Sequence, residues 1–284
     1  MTASLSPEVV AQYRRAGIHF PIDVLTADEA ADSLRRLEAI EARYGSPLPA
    51  RFLKPHLLFP WLDEIVRHPK ILDAVESILG PNILCRASQF FAKNARTPGF
   101  VSWHQDATYW GLGRPDVLTA WVAFTPSIRD NGCMRVVPGT HMQQLPHEDK
   151  FGSDNMLTRG QEIAAEVDEK DAVDVVLRPG QMSLHDVLIV HGSEPNTSDI
   201  RRVGFAIRYM PTSLPSEPGV RDSATLVRGV DDFGYYDLER APEADMHPDA
   251  VAHHKEVLER RMKVIYAGAA QDGRHQKDAS ATTV

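Results

Sequence analysis

Between residues 82 and 211 the chain is cut into short apolar runs, and this pattern limits its fold more than any other feature. "NILCRASQFFAK" (82–93), "VLTAWVAFTP" (117–126), "MRVVPG" (134–139), "DAVDVVLRPG" (171–180), "QMSLHDVLIVHG" (181–192) and "RRVGFAIRYMP" (201–211) are rich in Val, Ile, Leu and aromatic residues. Gly, Pro and Asn punctuate them, as in "DNG" at 130–132 and "RPG" at 178–180. Many short strands with turn signals between them point to a sandwich or barrel. The segments ahead of them read as helices packed outside it. "SPEVVAQYRRAG" has Ser6 as a cap, Pro7 at the first helical position and Gly17 as a stop. "TADEAADSLRRLEAIEARYG" opens on the capping-box pair Thr26 and Glu29 and ends at Gly45. A third helical region spans about 60–79, interrupted near His68-Pro69. Residues 142–170 are polar without a strand pattern, as in an insertion or lid, and 247–268 reads as a helix. The expectation is one domain over 1–268, mainly β with flanking helices, and a frayed polar tail at 269–284.

Charge and cysteine content narrow the function classes. Lys and Arg number 31 against 39 Asp and Glu, a formal charge of −8, which gives no support to a nucleic-acid or anionic-membrane partner. The two cysteines, Cys85 and Cys133, lie far apart and form no C-x-x-C pair, as suits a reducing compartment. "MTASLSPEVVAQYRRAG" has no apolar signal core and no run approaches membrane-spanning length, so a cytoplasmic protein is expected.

The chemistry concentrates in "SWHQDATYWGL" (102–112). In a strand, His104 and Asp106 project from the same face, either as a hydrogen-bonded pair or as two metal ligands. The His-x-Asp pattern is weak alone, because it occurs three times. His147/Asp149 lies in the charged stretch "HEDK", and His247/Asp249 suits a helix start, with His247 as the cap. Only "WHQDATYW" has aromatic flanks that keep a site dry. A third ligand is offered by "SLHDVLIVHGSEPN", where His191 stands at a strand end. Two histidines and one carboxylate suit non-haem Fe(II), leaving three positions of an octahedron open. His185 shares the parity of His191 along an unbroken strand and competes for the role; the strand-end position favours His191. Finally, Arg202, Gly204, Ala206 and Arg208 alternate along one face of "RRVGFAIRYMP", so two cations flank small residues that leave room for an anion. The bland alternative is a solvated outer face.

Taken together, "WHQD" at 103–106, "TAWVAF" at 119–124, "NGCMRVVPGTH" at 131–141 and "HGSEPNTSDIRR" at 191–202 resemble the phytanoyl-CoA dioxygenase family of Fe(II)- and 2-oxoglutarate-dependent oxygenases. The resemblance covers about residues 52–211 and implies a double-stranded β-helix (jelly-roll, cupin-like) core. His104, Asp106 and His191 match the family's iron ligands, and Arg202 matches the arginine that holds the far carboxylate of 2-oxoglutarate. Trp121, Ser193, Lys54 and Gln89 match further cosubstrate positions. Tyr109 and Trp110 become candidate walls of the substrate pocket, or ordinary barrel packing. Halogenating relatives have Ala or Gly in place of the carboxylate, so Asp106 argues for a hydroxylase. The expected enzyme uses O2 to hydroxylate an unactivated C–H bond of a small molecule, releasing succinate and CO2, with a homodimer as one candidate assembly. The alternative is a cupin-like metal-binding module, or an isomerase with the same ligands, and Arg202 discriminates: a protein that never binds 2-oxoglutarate has no need of a charged fork there.

Overall fold

The computed structural model describes residues 4–45, 52–110, 112–150, 152, 154–157, 159–217, 219 and 221–265. The tail expected at 269–284 lies outside the described residues. Helix α1 (Pro7–Ala16) begins where Ser6 Oγ accepts from the Val9 amide at 3.4 Å, and it stops at Gly17, whose φ of 73° is left-handed. Helix α2 (Ala27–Tyr44) carries its capping box in full: Thr26 Oγ1 accepts from the Glu29 amide at 3.2 Å, and the Glu29 carboxylate accepts from the Thr26 amide at 2.6 Å. The 60–79 region divides at His68-Pro69 into α3 (Pro60–Val66) and α4 (Pro69–Leu79), because a residue before proline avoids the helical region. Helix α5 (Pro248–Ile265) closes the described chain, with His247 Nδ1 accepting from the Asp249 amide at 3.3 Å.

Two antiparallel sheets form the core. The larger joins β1 (Ile18–Asp23), β9 (Gln181–Asp186), β4 (Leu118–Ala123), β11 (Arg202–Pro211), β2 (Ile83–Lys93), β12 (Ser223–Arg228) and β13 (Asp237–Leu238) in that order, with only β12 and β13 parallel. The smaller joins β3 (Val101–His104), β10 (Val190–Ser193), β5 (Arg135–Val137) and β8 (Val173–Asp174). This is a double-stranded β-helix. One face of β11 presents Val203, Phe205, Ile207 and Tyr209 to a cluster with Leu37 of α2, Leu62 of α3 and Ile71 of α4. The other face contributes Ala206 to a second cluster, where Trp121 of β4 meets Val136 of β5. The alternation read from "RRVGFAIRYMP" therefore separates the helix-covered outside of the large sheet from the space between the sheets. No helix among the described residues is long and apolar enough to cross a membrane.

Several expectations need correction. The first eighty residues are not all helical, since Ile18–Asp23 forms β1 at the edge of the large sheet, a place that tolerates Pro21. The run 181–192 is not one strand. It breaks after Asp186, whose carboxylate accepts from the Leu188 amide at 2.8 Å, and continues as β10 in the other sheet. Of 171–180, Val173–Asp174 forms the short strand β8 and Leu177 makes an isolated antiparallel bridge with Ser127. The 142–170 segment holds a two-stranded ribbon, β6 (His147–Asp149) with β7 (Gln161–Ile163).

Candidate metal centre and cosubstrate pocket

Pairing of β10 with β3 sets His191 directly opposite His104. The chain leaves β3 immediately after His104, and Asp106 opens a 3-10 turn through Tyr109, with its amide donating to the Val187 carbonyl at 2.9 Å. The two ligand candidates are thus joined by a strand end and a turn rather than by strand alternation. Gln105 between them is buried and points elsewhere: its amide nitrogen donates to the Gln143 carbonyl at 2.9 Å and its Oε1 accepts from the Leu145 amide at 2.7 Å. That anchor was not read from the sequence, where nothing marks a glutamine as buried.

His104 Nδ1 donates to the carbonyls of Ser102 and His191 at 2.9 and 3.1 Å, and His191 Nδ1 donates to that of Ile189 at 3.0 Å. A carbonyl can only accept, so the proton sits on Nδ1 in both rings and both Nε2 lone pairs are free for a metal. The ring centroids are 4.1 Å apart, and His104 Nε2 lies 3.5 Å from Asp106 Oδ1. One donor atom from each of His104, Asp106 and His191 lies within 4.8 Å of the other two, close enough for one ion. Burial, then the neighbouring His104, holds His191 well below the usual imidazole range. Burial pushes the Asp106 carboxyl up, but the neighbouring His104 and the charge of Arg208 outweigh it and keep it well below the carboxylate range. Neutral imidazole and ionised carboxylate are the forms that bind a divalent cation. This donor set therefore fits Fe(II). His185 borders the same cavity, driven by burial down to about 4, but it lies outside the cluster of mutually close donors, its ring centroid 5.1 Å from that of His191.

From these donors a cavity runs between the sheets past Thr119, Trp121 and Ser193 to Arg202. The Arg202 guanidinium is 2% exposed, and burial draws it down to about 10. One of its terminal nitrogens donates to the Gly132 carbonyl, its Nε has no partner, and it sits 5.4 Å over the Trp121 ring. The room beside Gly204 is taken by this indole rather than by a ligand, because a Cβ on Gly204 would lie 1.8 Å from the Trp121 ring. Lys93, the register partner of Arg202, donates from Nζ to Ser193 Oγ at 2.7 Å. Burial and then Arg202 push Lys93 down to about 6. With Nζ donating to its oxygen, the Ser193 hydroxyl hydrogen remains available to another acceptor. A buried, incompletely bonded guanidinium at the far end of the cavity fits a dicarboxylate such as 2-oxoglutarate. Lys93 escaped sequence reading, although its place opposite Arg202 follows from pairing of the two strands.

The other candidates lie apart from this pocket. Lys54 is not among the residues lining it. Its ammonium is fully buried against Glu239 and donates to the Ser223 carbonyl at 2.9 Å. Gln89 accepts from Arg208 at 2.7 Å and lines a neighbouring cavity with Trp110. Trp110 lies between Arg86 and Arg208, each guanidinium 5.5 Å from its ring centre. The side chain of Tyr109 lies outside the described residues. His147, read as a solvated loop residue, is half-buried, and its Nε2 accepts from the Gln105 amide at 2.9 Å.

An antiparallel double-stranded β-helix with two histidines and a carboxylate gathered between its sheets is the architecture of mononuclear non-haem iron oxygenases. Within that class the chain belongs to the phytanoyl-CoA dioxygenase (PhyH) family of Fe(II)/2-oxoglutarate-dependent oxygenases, whose profile matches residues 5–204. A probable alpha-ketoglutarate-dependent hypophosphite dioxygenase of Stutzerimonas stutzeri is 31% identical over 162 residues, 56% of either chain. The chain thus spans about half the length of the curated relatives it matches. Among solved structures, the apo form of the non-heme monooxygenase ThoJ is 38% identical with a TM-score of 0.79, over 91% of this chain and 98% of that one. CytC3 with Fe(II) and alpha-ketoglutarate is 28% identical with a TM-score of 0.64, over 87% of this chain and 97% of that one.

Proposed function

We propose that the protein is an Fe(II)- and 2-oxoglutarate-dependent hydroxylase of a small-molecule C–H bond. The observation that carries this is the pairing, in one buried cavity, of the donor set His104, Asp106 and His191 with the guanidinium of Arg202. His104 and His191 would offer Nε2, and Asp106 a carboxylate oxygen, to the metal. Arg202 takes the far carboxylate of the oxo acid through its planar fork, with Trp121 stacked beneath it. Ser193, held from behind by Lys93, donates its hydroxyl hydrogen to the same anion. When bound, iron, 2-oxoglutarate and O2 supply the oxidation, with release of succinate and CO2. The carboxylate at Asp106 favours hydroxylation over halogenation. The names of two relatives, a dioxygenase and a monooxygenase, support oxygen transfer without fixing a substrate.

Arg202 also separates this reading from a cupin-like metal module or an isomerase. Arg202→Ala is expected to cost about 1.5–3 kcal/mol of 2-oxoglutarate binding, roughly ten- to a hundred-fold in affinity. Arg202→Lys keeps the charge without the fork, so a smaller loss is expected. Iron content is expected to stay unchanged in both. Calorimetric titration beside iron analysis checks this; undiminished affinity in Arg202→Ala would refute the anchoring role.

The β6–β7 segment borders a second cavity through Met156 and Gln161. On the proposed function it covers the substrate entrance, and limited proteolysis is expected to cut there first, with protection by iron, 2-oxoglutarate and substrate. Cleavage indifferent to all three would leave it a passive surface element.

A further inference from the structure

That second cavity adjoins the metal-side cavity at Asp106, and its walls are unusually cationic for an acidic chain. Arg208, Arg261 and Arg159 all line it, each no more than 5% exposed. It meets the metal-side cavity along Phe91, Asp106 and Arg208. Two of the three arginines have carboxylates of their own. Arg159 donates from Nε to Asp149 at 3.0 Å. Arg261 donates to Asp222 at 2.6 Å, and Asp222 also neutralises Arg86 at 3.4 Å, so two guanidinium groups share one carboxylate.

Arg208 differs from both. Among the described residues it makes no ion pair; its Nη1 donates to the neutral Gln89 at 2.7 Å, and its Nε, like that of Arg261, has no partner. The guanidinium is held between aromatic faces, 5.7 Å from the Phe91 ring centre and 5.5 Å from that of Trp110. The carboxylate it senses is Asp106, whose charge belongs to the metal if the centre holds one. A buried guanidinium with an open donor is costly unless an anion completes it. Cation–π contacts steady such a group without neutralising it.

We propose that the substrate is a small oxyanion, a carboxylate or a phosphonate, whose charged group docks on Arg208 in this cavity with Arg261 and Arg159 around it. The carbon bearing that group then faces the metal across the shared wall. The inference rests on reading the adjoining centre as an iron and 2-oxoglutarate site, and it adds the substrate class and its anchor. Arg202 serves the cosubstrate and Arg208 the substrate: two arginines of one strand face, six residues apart, of which only Arg208 also lines the second cavity. The competing role for Arg208 is to steady Asp106 by charge alone.

The test uses iron-loaded protein kept anaerobic and saturated with 2-oxoglutarate, so that the Arg202 site is filled. Methylphosphonate and propionate are titrated calorimetrically, with propionamide and propylammonium as uncharged and cationic controls. One oxyanion per chain is expected to bind, the controls are not, and the stronger of the two oxyanions identifies the head group. Arg208→Gln is expected to weaken that binding by about ten-fold or more while iron and 2-oxoglutarate affinities hold. Arg208→Lys, the less disruptive variant, is expected to fall between the two. Absence of oxyanion binding, or equal binding in Arg208→Gln, overturns the proposal. Loss of iron with retained oxyanion binding also overturns it and assigns Arg208 to Asp106. Failure of 2-oxoglutarate to bind wild type sinks the cosubstrate reading instead, and the oxyanion titration of the same protein still decides the Arg208 cavity.

Discussion

Replacing His104 or His191 by Ala is expected to abolish stoichiometric Fe(II) binding. Each imidazole offers one of the three mutually close donors, with its tautomer fixed by a backbone carbonyl. Loss of an outer partner of a metal ligand costs roughly 10–100-fold in affinity, and loss of a ligand costs more. His147→Ala removes bonds to the Gln105 amide, Thr108 and the Leu145 carbonyl, and His247→Ala a helix cap, none of them a metal donor, so both variants are expected to keep their iron. Metal analysis of the four purified variants checks this. Retained iron in His191→Ala would transfer the role to His185, the other buried imidazole on the cavity.

The largest effect on stability is expected at Glu239, outside the site. Its carboxylate accepts from the Lys54 ammonium, from Ser223 Oγ at 2.7 Å and from Thr225 Oγ1 at 2.7 Å. Because Thr225 donates to Glu239, its oxygen accepts from His56 Nε2 at 3.1 Å, which leaves His56 Nδ1 to accept from Ser88 at 2.6 Å. Burial, then Lys54, holds His56 well below the usual range, in keeping with that neutral form. Glu239→Ala strands a buried ammonium and is expected to cost about 3–5 kcal/mol, whereas an apolar pair such as Lys54→Met with Glu239→Leu is expected to recover most of it. Denaturant unfolding of single and double variants measures this. With its ammonium engaged in that network and Lys54 not among the residues lining the cosubstrate cavity, Lys54→Met is expected to lower stability while folded protein keeps its 2-oxoglutarate affinity. A folded Lys54→Met protein with weakened cosubstrate binding and unchanged stability would return Lys54 to the pocket.

What the sequence made legible follows from the range of the forces involved. Caps at Ser6 and Thr26, the break at His68-Pro69 and the alternation along β11 are local, and they stand in the structure where the residues placed them. His104, Asp106 and His191 were legible as a cluster because their chemistry makes them odd among apolar neighbours. The break between His185 and His191 was not legible, since Val187, Leu188 and Ile189 suit a strand and only the Asp186 turn diverts them into the other sheet. Strand β1 was hidden by its brevity and by Pro21, and β12 by a sequence distant from the motifs. The partners that engage Lys54 and Gln89, Glu239 and Arg208, lie more than a hundred residues away and were not legible from the motif. Long-range ion pairs leave no local signature.

The measurement that bears most directly on the central claim is an anaerobic titration of 2-oxoglutarate into wild type and His191→Ala, each with and without Fe(II). The account predicts one 2-oxoglutarate per iron-loaded wild-type chain, much weaker binding without the metal, and no iron-dependent gain in His191→Ala. Binding that is absent from iron-loaded wild type, or identical in all four samples, contradicts it.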